Sequence, residues 1–133
     1  MSWLAVLAVA GLGAMGVAAG PGLPDRSGPW QQLGATAVSK QKPIASLRTA
    51  ADSPQALAFV VTGPAGRTLH VRWSTDCEIF DDDVGEETRQ GTISGAGRVV
   101  GYPPVLAGAT RCYVWVVVRP PSGGRVTATT YAY

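Results

Sequence analysis

The residues best suited to chemistry sit in four places. The first is aromatic. Tyr113, Trp115 and Tyr131 occur in two alternating segments, 109–119 and 124–133, separated by Pro120-Pro121-Ser122-Gly123-Gly124. If that loop closes a hairpin with Val118 against Val126, Tyr113 falls opposite Tyr131 and Trp115 opposite Thr129. The face opposite Cys112 then carries a Tyr/Trp/Tyr cluster, a platform for a sugar ring or for a partner's apolar side chains. The plainer alternative is an aromatic sheet face covered by the residues that precede the sheet.

The second place is acidic. Residues 76–87 hold seven of the nine acids and no base. Calcium takes six to eight oxygens from carboxylates and carbonyls on a flexible loop, and Asp81, Asp82, Asp83, Glu86 and Glu87, with the turn residue Gly85, are its candidate ligands. The spacing is not that of an EF-hand, so the simplest expectation is a solvated loop that steers a basic partner. No other cofactor is expected.

The third is His70, the single histidine. A Ser/His/Asp arrangement would have to use it. The chain has no GxSxG, no HExxH and no phosphate loop between strand and helix. Gly11-Leu12-Gly13-Ala14-Met15-Gly16 spells GxGxxG but lies inside an apolar N-terminal stretch, where it has no such meaning. Acids clustered on one loop also lack the opposed geometry of glycoside hydrolysis. No enzyme is expected. The fourth is the pair Cys77 and Cys112, each in a strand-like segment, suited to a disulfide that would close a loop of about 36 residues and contribute about 4 kcal/mol. With one His beside them, they are too few for a four-ligand zinc site.

These groups must be positioned by strands. The 133 residues are 46% hydrophobic and 15% charged, with 17 Gly and 10 Pro, which suits one small folded domain. Strand patterns recur at 43–50, 55–62, 67–79, 88–94, 97–102, 109–119 and 124–133, with an eighth candidate at 35–41. Between them stand turn sequences such as Gly63-Pro64-Ala65-Gly66 and Gly95-Ala96-Gly97. Ser53-Pro54-Gln55 would serve as a helix cap, but the β-branched run that follows favours a buried strand. Leu69, Val71, Trp73, Cys77 and Ile79 share one parity, and His70, Arg72, Ser74 and Asp76 take the other. Cys112, Val114, Val116 and Val118 likewise alternate. A Cys77–Cys112 bond would turn both apolar sets inward, with Trp73 close by.

The expectation is therefore an all-β, antiparallel sandwich of seven to eight strands over residues 35–133. Its layout resembles immunoglobulin-like and fibronectin type III-like sandwiches, which also carry a core Trp and a final two-strand hairpin. The likeness is one of architecture, since Trp73 precedes Cys77 instead of lying between the cysteines.

Ahead of the sandwich, residues 20–34 are rich in Pro and Gly and read as a linker or arm. Trp3 to Ala19 are 17 uncharged residues, read as a hydrophobic helix that is either a signal peptide cleaved after Ala19 or an uncleaved membrane anchor. Met1-Ser2 carries no base, the weak point of the signal-peptide reading. The pair of cysteines independently suits an oxidising compartment. The eleven bases form no run, so the net charge of +2 does not indicate nucleic acid. The sequence thus points to a secreted or cell-envelope binding or structural module with a protein or glycan partner. The alternative is an anchored accessory subunit of a larger envelope complex, touching membrane only through residues 3–19.

Overall fold

The structure is a computed structural model that describes residues 23, 24, 26, 28–38, 45–79, 86–119 and 124–133, with Val38, Ala45 and Glu86 described by backbone alone. The expected N-terminal helix over residues 1–19 and the expected ligands Asp81, Asp82 and Asp83 lie outside the described residues. The chain divides into a unit over residues 1–30 and a unit over 31–133. In the first, the Arg26 N–H donates to the Leu23 carbonyl across a turn at 3.1 Å.

The second unit is built of strands. In chain order they are β1 (Gln31–Val38), β2 (Ala45–Asp52), β3 (Leu57–Thr62), β4 (Thr68–Glu78), β5 (Glu86–Ala96), β6 (Arg98–Gly101), β7 (Arg111–Arg119) and β8 (Val126–Ala132). Each matches one of the eight strand patterns in the sequence to within a few residues. The largest shift is in β1, which takes in residues 31–34 from the end of the expected arm. Ser53-Pro54-Gln55 leads into strand β3, and the run Leu57-Ala58-Phe59-Val60-Val61 is buried on both faces, as a continuous apolar run without alternation requires.

The strands form two antiparallel four-stranded sheets. Sheet one has the order β1-β8-β3-β6 and sheet two the order β2-β7-β4-β5. The pairings are nested: first strand with last, second with seventh, third with sixth, fourth with fifth. Two further pairings, β8 with β3 and β7 with β4, join the nested pairs into sheets. This is the order of a jelly roll, a long antiparallel ribbon rolled into two layers. Only β4 and β5 are consecutive neighbours within a sheet; every other connection crosses from one sheet to the other.

That topology corrects the expected final hairpin. β7 and β8 do not pair, because β7 lies between β2 and β4 while β8 lies between β1 and β3. The immunoglobulin order, in which the last two strands are sheet neighbours, is not the order seen here. The physical reason is that a loop of this length serves an arch between layers as well as a hairpin, and the two inner faces can meet across the core. Cys112, Val114, Val116 and Val118 on β7 and Val126, Ala128 and Ala132 on β8 all belong to one buried cluster. These residues do lie together, but across the core instead of along one sheet.

The core is that shared cluster. Leu57, Phe59, Val61 and Val99 come from sheet one; Leu69, Val71, Ala51 and the two cysteines come from sheet two. At their common boundary the hydroxyls of Thr49 on β2 and Thr130 on β8 are 2.7 Å apart, one donating to the other. The pair satisfies two polar groups that would otherwise cost free energy in this position. The Thr75 hydroxyl is also buried there and has no partner among the described residues.

Cys77 and Cys112 are bonded and stand directly opposite one another on β4 and β7, with Cα atoms 4.0 Å apart. Both thus belong to sheet two, on its inner face. Trp73 is on the same inner face, partly buried and packed against the core. Opposite it on β5 is Gly91, where an added Cβ would lie 2.7 Å from the indole. The absent side chain is what lets the ring lie across the edge strand.

Candidate functional site

The outer face of sheet two carries the chemistry. Since side chains alternate along a strand, the parity that buries Cys112, Val114, Val116 and Val118 turns Tyr113, Trp115, Val117 and Arg119 outward. On β4 the same rule exposes His70 and Arg72 and turns Ser74 and Asp76 to that face. The register sets Trp115 between Arg48 on β2 and Ser74 on β4, and sets Tyr113 between Ala50 and Asp76. Gln90, Thr92 and Ser94 on β5 complete the rows.

Trp115 is the most prominent of these residues, with 49% of its surface exposed. Its ring is oriented by a hydrogen bond, since Nε1 donates to Ser46 Oγ at 2.7 Å. An indole so held keeps an apolar body toward solvent while its one donor is satisfied. Tyr113 is half-buried and more heavily engaged. The Arg48 guanidinium stands 4.9 Å from its ring centroid, a cation–π distance. Hydrogen bonding with Tyr113, and then with Asp52, raises the Arg111 guanidinium above its ordinary value, and the Asp52 charge adds to this. Arg111 Nε donates to Asp52 Oδ1 at 2.8 Å. The Tyr113 ring is therefore engaged within the sheet.

Tyr131 does not join them. It is on β8, paired with Ala58 and Gln32 in sheet one, and is 8% exposed. The expected Tyr/Trp/Tyr cluster reduces to Tyr113 and Trp115, because the cross-strand partners of β7 come from β2 and β4. Ser46, Arg48 and Ser74 take the places assigned by the hairpin to residues of β8.

Charge is segregated along this face. Asp52, Asp76 and Glu78 lie toward one end, with Arg111 bound to Asp52. His70, Arg72 and Arg119 lie toward the other. Asp76 Oδ1 is buried with no hydrogen-bond partner among the described residues. At the basic end the surface is concave. One depression of about 460 Å³ includes Trp115, Ser74, Gln90 and Arg72 in its lining. A second, of about 490 Å³, includes Arg72, His70, Ser94 and Arg119. Arg72, Thr92 and Val117, one row across three strands, line both, so the two depressions adjoin and are together called the groove.

His70 Nδ1 is 2.9 Å from Ser94 Oγ at the end of this groove. Among the described residues, none that lines the groove is a carboxylate. Of the candidate calcium ligands among the described residues, Glu87 accepts from Arg89 Nε at 3.0 Å. No group of three or more His, Cys, Asp or Glu that could hold a metal occurs among the described residues. Among those residues, too, no helix is long and apolar enough to cross a membrane.

The parity of β4 already marks His70, Arg72 and Ser74 as outward in the sequence. Ser46, Arg48, Gln90 and Thr92 were not legible there, because their place depends on which strands lie beside β7 and β4. No protein family, curated protein or solved structure matches the chain.

Proposed function

We propose that this chain is an exported, disulfide-stabilised binding module whose working surface is the outer face of sheet two. The observation that carries the reading is Trp115: half-exposed, oriented by Ser46, and set in the wall of a groove. Large exposed aromatics cost solubility, and one whose ring is held in a fixed orientation with half its surface open suits contact with a ligand. Export is supported by the Cys77–Cys112 bond, of a kind that persists in oxidising compartments, and by the uncharged stretch from Trp3 to Ala19.

The test compares the chain with Trp115→Ala on an array of defined saccharides and peptides. The expected outcome is a ligand bound by the first and lost by the second, with both folded. Ligands retained in full by Trp115→Ala would remove the reading. Intact mass of the product made in an exporting host tests the compartment: loss of residues 1–19 supports a secreted module, and retention of the full chain in the membrane fraction supports the anchored accessory subunit.

A further inference from the structure

We infer that the groove selects an acidic saccharide, a sugar chain bearing carboxylate groups; this rests on the binding reading above and gives its ligand a chemical class. The first argument is charge. Arg72 and Arg119 are exposed, and neither has an ion-pair partner among the described residues. Arg48, beside the groove, is engaged only with the Tyr113 ring among the described residues. Among the described residues no acid lines the groove, and Asp76 on the same face is two residues along β4 from Ser74. A guanidinium presents a planar fork of donors that matches a carboxylate, and without acids nearby that fork is left for a ligand.

The second argument is the neutral lining. Ser74, Gln90, Thr92 and Ser94 offer hydroxyl and amide groups that both donate and accept. Sugar hydroxyls need that mixture, and Trp115 offers a flat apolar surface for the C–H face of a pyranose. The third argument weighs against a peptide. The groove lies over β7 and β4, interior strands of sheet two, and over the edge strand β5. The backbone donors and acceptors of β7 and β4 are used in the ladder, so a peptide main chain could pair only beyond β5, as a strand outside the groove and three strands from Trp115.

The probes are carboxymethyl-dextran and polygalacturonate, with neutral dextran and poly-L-glutamate as the other arms, titrated by calorimetry into the full chain. The acidic polysaccharides are expected to bind at least about tenfold tighter than dextran, the difference made by one charge-assisted contact. Arg72→Gln and Arg119→Gln should each weaken that binding about tenfold, and Trp115→Ala should abolish it. Arg125→Gln removes the same charge outside the groove and should change it less than about twofold.

Dextran bound as well as its carboxymethyl form, with Trp115 still required, would overturn the acidic ligand and leave the binding reading standing. Tighter binding of poly-L-glutamate would replace the saccharide by an acidic peptide. An Arg125→Gln effect equal to that of Arg72→Gln would reduce the interaction to net charge and overturn the proposal. Failure of both acidic polysaccharides to bind overturns it as well. Binding of any probe that is indifferent to Trp115→Ala would remove the binding reading itself.

Discussion

Trp115 and Val116 are adjacent in the chain and opposite in circumstance. Val116 points into the cluster shared by both sheets and is fully buried, whereas Trp115 points away from it and is half-exposed. The same contrast runs along all of sheet two. Its inner face is mostly valine, leucine, Trp73 and the disulfide; its outer face carries arginines, acids, hydroxyls and two aromatics. One strand thus contributes to stability with one set of residues and, on the proposed reading, to recognition with the next. The size of a side chain does not tell which role it has; its parity does.

Four substitutions would break or sharpen that contrast. Replacing both cysteines by serine is expected to have the largest effect, a loss of about 4 kcal/mol in denaturant unfolding, from the loop of chain that the bond closes. Val116→Ala removes two buried methyl groups and leaves a cavity, and should lose about 2–3 kcal/mol in the same assay. Gly91→Ala would press a Cβ against Trp73 at the sheet edge and is expected to cost about 1–3 kcal/mol. The same substitution should shift the near-ultraviolet dichroism of that indole. Trp115→Ala should cost only about 1 kcal/mol, within the span measured for exposed strand positions. A loss at Trp115 equal to that at Val116 would show that the outer face is part of the core, and the division of labour would fail.

The sequence was a good guide to strands and a poor one to neighbours. Eight strand patterns became eight strands among the described residues, and Leu69, Val71 and Cys77 on β4 and Cys112 to Val118 on β7 alternate as their parities require. Both are local properties, fixed by alternation and turn residues. Pairing is not local. Val118 and Val126 look like hairpin partners by spacing, yet their strands belong to different layers. A loop of that length serves an arch as well as a hairpin, and the inward apolar sets of β7 and β8 can meet within a sheet or across a core. Tyr131 was misplaced for that reason, and Ser46 and Arg48 were missed for the same one. The disulfide was legible as a pair of inward cysteines, but its place within one sheet depended on β4 and β7 being neighbours.

That placement has a mechanical consequence. A jelly-roll ribbon is kept rolled by two seams, β7 on β4 and β8 on β3, and the covalent bond spans only the first. The second is held by backbone hydrogen bonds and side-chain packing alone. In the oxidised chain, the opening that requires no broken covalent bond is therefore the parting of β8 from β3, and amides there should exchange through a lower-energy event than those between β4 and β7. The outer face of sheet two belongs to the pinned layer. A ligand held in its groove would rest on a surface that keeps its shape while the other layer breathes.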